Sequence, residues 1–330
     1  MGSGNLVLSS GSPSLAAGRK SELDRIARGL VRDARSATTI AAYDRDWQAF
    51  AAWCAEHGET PMPATAATVV RYIAALVEAG RRPATITRYV SSISVRHRAA
   101  NVPNPAMHEA VRLALDGARR RLGTAQRKKA PLTTDLLGRV FADLDPAAAA
   151  DQQDRVILLF VYAGALRRSE LVALDLDDIT VDADGIRLRI ARSKTDQAGA
   201  GVEVGIVFGD RPGTCPVTAW QTWRRTLTAA GITAGPAFRT VSPRGHVSAT
   251  RMSARTVANI IKRRVAAVGL DPSAFAGHSG RRGFATAAAR AGADERAVMR
   301  QGRWRSRRTL DGYVDEGRLF EGNASARLGL

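Results

Sequence analysis

Cysteine is nearly absent: 330 residues hold two, Cys54 and Cys215, far apart and in no CxxC pairing. A disulfide framework and a structural zinc site are both disfavoured, and a reducing compartment is expected. The five histidines, His57, His97, His108, His246 and His278, form no HxxxH or HExxH pattern, so no metal is expected. No glycine-rich loop ends in GK followed by Ser or Thr, which removes the phosphate cradle of an ATP-driven motor and leaves no cofactor expected. No apolar run approaches the roughly 20 residues that cross a bilayer. The opening MGSGNLVLSSGSPS lacks the basic segment and apolar core of a secretory signal, and Gly2 lacks the Ser or Thr at position six that myristoylation uses. Together these absences lead us to expect a cytoplasmic chain with no membrane partner.

Acidic residues are scarce beside basic ones. Against 31 Asp plus Glu stand 49 Lys plus Arg, a formal charge of +18, more than solubility requires and suited to a polyanion. With 45% hydrophobic residues, the chain is long enough for about two domains of ordinary size.

Residues 1–20 are rich in Gly, Ser and Ala and are expected to be disordered. From 21 to 121 the apolar residues step by three and four, the period of helices. Ile40, Tyr43, Trp47, Phe50 and Cys54 form one stripe, entered through Ser36 or Thr38. Val69, Ile73 and Leu76 form another that ends at Gly80. Ile86, Tyr89 or Val90, Ile93 and His97 form a third, with His97 read as a packing residue; Pro103 and Pro105 stop it, and a last helix spans 107–121. Arg88, Arg96 and Arg98 lie off the third stripe and are candidate phosphate contacts. Between Arg119 and Lys129 six of eleven residues are basic: Arg119, Arg120, Arg121, Arg127, Lys128 and Lys129. Residues 122–131 therefore read as a basic linker lying on phosphates.

A second domain is expected over 132–317. Helices are predicted at 134–144 and 150–164, then strands at 179–181, 186–190 and 202–208. The first two strands are joined by the tight-turn sequence DADG and the last two by the loop SKTDQAGAG. From Pro216 the chain reads as helical almost to its end. Residues 318–330 form a tail in which Leu319, Phe320, Ala324 and Leu328 recur at helical steps. No internal repeat is found.

Four segments carry residues suited to phosphate chemistry. GALRRSEL sets Arg167 and Glu170 one helical turn apart; RSKTDQAGAG offers Lys194 on a hairpin; AGHSGRRG places His278 and Arg281 at i and i+3. In GRWRSRRTLDGYV, Trp304 precedes Tyr313 by nine residues, and five of the nine residues from Arg300 to Arg308 are arginine. Each segment alone is a weak signal.

In order and spacing the four together resemble the tyrosine recombinases, the phage integrase family, whose pattern of Arg, Lys, HxxR, His or Trp, then Tyr is filled by Arg167, Lys194, His278, Arg281, Trp304 and Tyr313. FAAWCAEHG, ATITRYVSSISVRHR and the Pro-containing turn that follows resemble the helical core-binding domain of the Cre-like members. Trp304 is a further Cre-like trait, since most of the family carries His there. One departure is Gly164-Ala165-Leu166, where many members have Thr-Gly-Leu.

The resemblance implies a mainly α fold: a helical core-binding domain, a mostly helical α/β catalytic domain with a small antiparallel sheet, and a C-shaped clamp around duplex DNA. It implies cleavage and rejoining of specific, inverted-repeat sites by a tetramer of this chain, through a 3′-phosphotyrosyl ester and without ATP. Arg167 and Arg281 would clamp the phosphate, Tyr313 would attack, and His278 would act as base or phosphate donor. Lys194 would protonate the leaving oxygen, Trp304 would shield the site, and Glu170 would orient His278 or an arginine. Two other readings stay open: a monomeric type IB topoisomerase-like enzyme, and a catalytically silent DNA-binding protein on the same fold. The Ala- and Arg-rich composition suggests a bacterial or phage genome and nucleoid association; neither target sequence nor accessory proteins follow from it.

Overall fold

The computed structural model describes residues 13–33, 36–123, 128–191, 201–307, 310–313, 325 and 328. The chain divides into two compact units, Met1–Gln126 and Arg127–Leu330.

The first unit is helical: α1 (Pro13–Asp33), α2 (Ala37–Glu56), α3 (Ala66–Glu78), α4 (Pro83–Ala99) and α5 (Glu109–Leu122). Residues 13–20, expected to be disordered, instead belong to α1; residues 1–12 lie outside the described residues. The signal was present, since Leu23, Ile26 and Leu30 step along one face, yet they are 55%, 44% and 68% exposed. The Ser36 side chain caps α2 by accepting the Thr39 N–H, and Thr65 caps α3 through Thr68. Phe50, Cys54, Val69, Ile73, Ile86 and Ile93 meet in the core, each large side chain stabilising the unit by about 1.5–3 kcal/mol. His97 is fully buried there. Its Nδ1 bonds the Ile93 carbonyl at 2.8 Å and its Nε2 accepts the Ala64 N–H at 2.9 Å, so it ties the turn before α3 to α4.

The second unit is built on α7 (Ala149–Ala163), whose residues Val156 to Val161 are all buried. Around it lie α6 (Thr134–Ala142), α8 (Arg168–Ala173), α9 (Pro216–Ala229), α10 (Ala254–Ala267), α11 (Ser279–Arg290) and α12 (Glu295–Gly302). Strands β1 (Ile179–Val181), β2 (Gly185–Ile190) and β3 (Val202–Val207) form an antiparallel sheet in that order. Ile186, Leu188 and Ile190 of β2 face the core while Arg187 and Arg189 face out, the alternation of a half-buried strand. The sequence from Pro216 on is not wholly helical: β4 (Arg239–Val241) and β5 (Val247–Arg251) form a second hairpin. Its turn, SPRG, places Gly245 at φ 82°, a backbone that glycine adopts without a Cβ clash.

Helix α11 approaches α7 through glycine. A Cβ on Gly280 would lie 2.7 Å from a Val161 methyl, and one on Gly283 would lie 1.9 Å from the Leu132 carbonyl. That close contact sets Arg281, between the two glycines, deep against the end of α7.

Candidate active site

The site starts where α7 ends. Ala165 turns the chain with φ 46° and is fully buried, an uncommon conformation for a residue with a Cβ. The turn presents the Ala165 carbonyl inward and starts α8 with Arg167 at its N-cap. Glu170, three residues on, accepts the Arg167 backbone N–H at 2.9 Å and its Nη1 at 2.5 Å. This is a capping arrangement and an ion pair at once. Glu170 is 2% exposed. Burial pulls its carboxyl up, but the charges of Arg303 and Arg167 and the backbone hydrogen bond hold it below the usual carboxylate range.

Arg281 reaches the same turn from α11. Its Nη1 donates to the Ala165 carbonyl at 2.7 Å, while its Nη2 is buried without a hydrogen-bond partner. Its guanidinium lies 3.9 Å from the centroid of the Trp304 ring, a cation–π stack. Burial, then the neighbouring charges of Arg167 and Arg303, push Arg281 down to about 9. Such a buried, under-satisfied cation is electrostatically suited to an anion.

Trp304 is held between Phe284, stacked at 6.5 Å, and Tyr313 at 6.2 Å between ring centroids. Residues 310–313 are helical, with Leu310 fully buried beside Ala285, Ala289 and Val298. The Tyr313 ring also faces the Arg282 guanidinium at 6.0 Å, and the carbonyl of Gly312 accepts from Lys128 Nζ at 2.8 Å. Arg282 Nη1 donates to the Lys129 carbonyl. His278 is the exposed N-cap of α11, three residues before Arg281. Lys194 lies outside the described residues. The structure thus brings Arg167, Glu170, Arg281, Trp304 and Tyr313 into one connected chain of contacts.

One member of that chain went unrecognised in the sequence. Arg303, read only as part of an arginine run, is 7% exposed in its side chain and donates to Glu170 at 2.8 Å. Among the described residues no group of three or more His, Cys, Asp or Glu could hold a metal.

The candidate phosphate contacts differ in their settings. Arg88 pairs with Asp46 at 2.6 and 3.0 Å, Arg96 with Asp44 at 2.6 Å and Arg119 with Asp116 at 2.8 Å, whereas Arg98, Arg120 and Arg121 are exposed. Lys129 Nζ donates to the Ser273 carbonyl at 2.6 Å, and Arg127 lies outside the described residues.

Comparison with known proteins bears on the family and the fold. The model of the phage integrase family matches residues 132–318, and that of the phage integrase N-terminal SAM-like domain matches residues 27–101. An integrase/recombinase XerD homolog from Selenomonas ruminantium is 37% identical over 306 residues, covering 92% of this chain and 88% of its own. The Cre recombinase of Escherichia phage P1 is 26% identical over 293 residues, covering 82% and 80%. A lambda integrase dimer bound to a COC′ core site has a similar fold, with TM-score 0.57 at 18% identity over 90% of this chain and 95% of that one.

Proposed function

The chain belongs to the phage integrase family of site-specific tyrosine recombinases, DNA strand-transferring enzymes, and from that premise we propose that Tyr313 is the nucleophile and Arg167 and Arg281 its phosphate clamp. The observation that carries this reading is the buried Arg281 guanidinium, with one nitrogen unpartnered, stacked on Trp304 beside the Tyr313 ring. Two guanidiniums neutralise the non-bridging oxygens, so that an anionic phosphodiester accepts a nucleophile. The Tyr313 phenol oxygen bonds to phosphorus and the bond from phosphorus to the 5′-oxygen breaks. The phenol proton passes to a base, a role that suits His278, and the 5′-oxygen takes its proton from Lys194. The resulting 3′-phosphotyrosyl ester keeps the energy of the broken bond. A 5′-hydroxyl of the partner strand attacks it, the tyrosine leaves, and strands are exchanged without ATP.

Glu170 serves as the anchor of Arg167 and Trp304 as its apolar wall. Arg98, Arg120 and Arg121 have exposed charge for the backbone. Arg88, Arg96, Arg119, Lys128 and Lys129 would exchange their protein partners for phosphates, and Arg127 completes the basic stretch. Two inverted half-sites per duplex and a tetramer on paired duplexes suit strand exchange, in the cytoplasm on nucleoid DNA. The assembly has a physical basis in the second unit. An apolar groove of about 630 Å³ runs between α6, α7, β3 and α11, lined by Leu137, Leu159, Ile206, Phe208, Phe284 and Ala288. Its occupant is proposed to be the tail of a neighbouring protomer, whose Leu319, Phe320 and Ala324 lie outside the described residues and whose Leu328 is 67% exposed. The topoisomerase-like and catalytically silent readings have no comparable support among the similar proteins.

The test is covalent trapping. Wild-type protein and Tyr313→Phe are incubated with fragmented host or element DNA and denatured in detergent, and the attached DNA is sequenced. Adducts from wild type alone, gathered at one short inverted repeat, are expected. An adduct formed by Tyr313→Phe would show that another residue attacks.

A further inference from the structure

Arg303 occupies a backbone position that argues against an arginine. It follows the last residue of α12 with φ 55° and ψ 45°, and the Trp304 N–H bonds the Met299 carbonyl. This is the left-handed helix stop at which glycine is the usual residue. A Cβ in that conformation is strained, and such strain persists where the side chain is needed.

What the side chain does is visible in its partners. Nη2 donates to Glu170 Oε2 at 2.8 Å and to the Ala165 carbonyl at 3.2 Å, while Nη1 donates to the Gln301 carbonyl at 2.9 Å. The Arg303 carbonyl in turn lies 3.5 Å from Arg167 Nη2. Two of the three acceptors that Arg303 uses are the same two that hold the clamp, Glu170 for Arg167 and the Ala165 carbonyl for Arg281. Arg303 reaches both with a side chain that is 7% exposed, where that of Arg167 is 15%.

Charge explains why a third guanidinium is useful. A buried carboxylate facing Arg167 alone would neutralise that cation and leave it little attraction for a phosphate. Shared between two arginines, with Arg303 on Oε2 and the Arg167 guanidinium on Oε1, the carboxylate is offset by a second cation and Arg167 keeps net charge for a phosphate. We propose that Arg303 is a positioning residue of the recombination site: it holds the Ala165 turn and neutralises Glu170 so that Arg167 meets the scissile phosphate as a cation. The proposal rests on the reading of Arg167, Arg281 and Tyr313 given above.

The test uses the full chain and a duplex carrying the trapped site, made with either the natural scissile phosphate or a methylphosphonate, which lacks one negative charge. Rates of adduct formation and DNA affinity are measured for wild type, Arg303→Lys, Arg303→Met and Arg303→Gly. Glycine suits the left-handed backbone, which guards against simple misfolding. On the natural phosphate, Arg303→Met and Arg303→Gly should lose about 10²-fold in adduct rate, the scale of a lost transition-state donor, with DNA affinity retained. Arg303→Lys should recover part of the loss, and on the methylphosphonate the loss should shrink. Wild-type rates in Arg303→Met, or equal losses on both duplexes, would overturn the proposal. An adduct from Tyr313→Phe would instead overturn the reading beneath it, so the two failures are distinguishable.

Discussion

Among the described residues, Glu170 is the carboxylate that pairs with Arg167 and Arg303 and whose charge also acts on Arg281. Removing it leaves buried cations uncompensated, a change that typically costs about 3–5 kcal/mol. Glu170→Gln should therefore lower the unfolding free energy read from urea titration by that order, and a loss under about 1 kcal/mol would mean the pairs act as surface ones do. The pH dependence has a definite sign. The folded carboxyl lies below its unfolded value, so its contribution is whole above about pH 4.3 and is lost as pH falls through the lower folded value. Wild type should lose more stability than Glu170→Gln over that acid range. The three-residue step from Arg167 to Glu170 was legible in the sequence because it is one helical turn. Arg303 was not, because its partners Glu170 and Ala165 are 133 and 138 residues away and the nearby Arg300, Arg305 and Arg307 are exposed. Ala165 was visible as a departure from a family glycine, but only its φ of 46° shows that it keeps the turn glycine would make.

At the scale of elements, legibility followed length and amphipathicity. Helices α2, α3 and α4 carry stripes long enough to show their period, and each stripe contributes to the core of the first unit. The β4–β5 hairpin escaped because its strands are three and five residues long and mostly polar, so no alternation of period two could build up. The segment after α12 depends on one close approach. A Cβ on Gly302 would lie 1.6 Å from the Trp304 ring, the ring that carries Arg281. Gly302→Ala should cost about 1–3 kcal/mol, as overpacked sites do, and should slow adduct formation. The smaller ring of Trp304→His in the same chain should restore the thermal midpoint. A Gly302→Ala protein as stable as wild type would mean that the indole yields easily.

At the scale of the whole molecule, two units with separate cores share a charge of +18, and assembly is proposed to rest on the tail and the apolar groove. Deleting the residues after Arg318 should weaken formation of the multi-protomer complex on DNA more than binding to one half-site, as read by native gel mobility. Equal losses would mean that the tail packs on its own unit. The under-satisfied Arg281 of the site carries one last consequence. A ligand that completes it stabilises the native state by mass action, so protein off its DNA opens more often than protein on it. Proteases act on opened chains; turnover therefore falls first on the idle molecules, and the lifetime of the enzyme becomes coupled to the supply of sites for it to occupy.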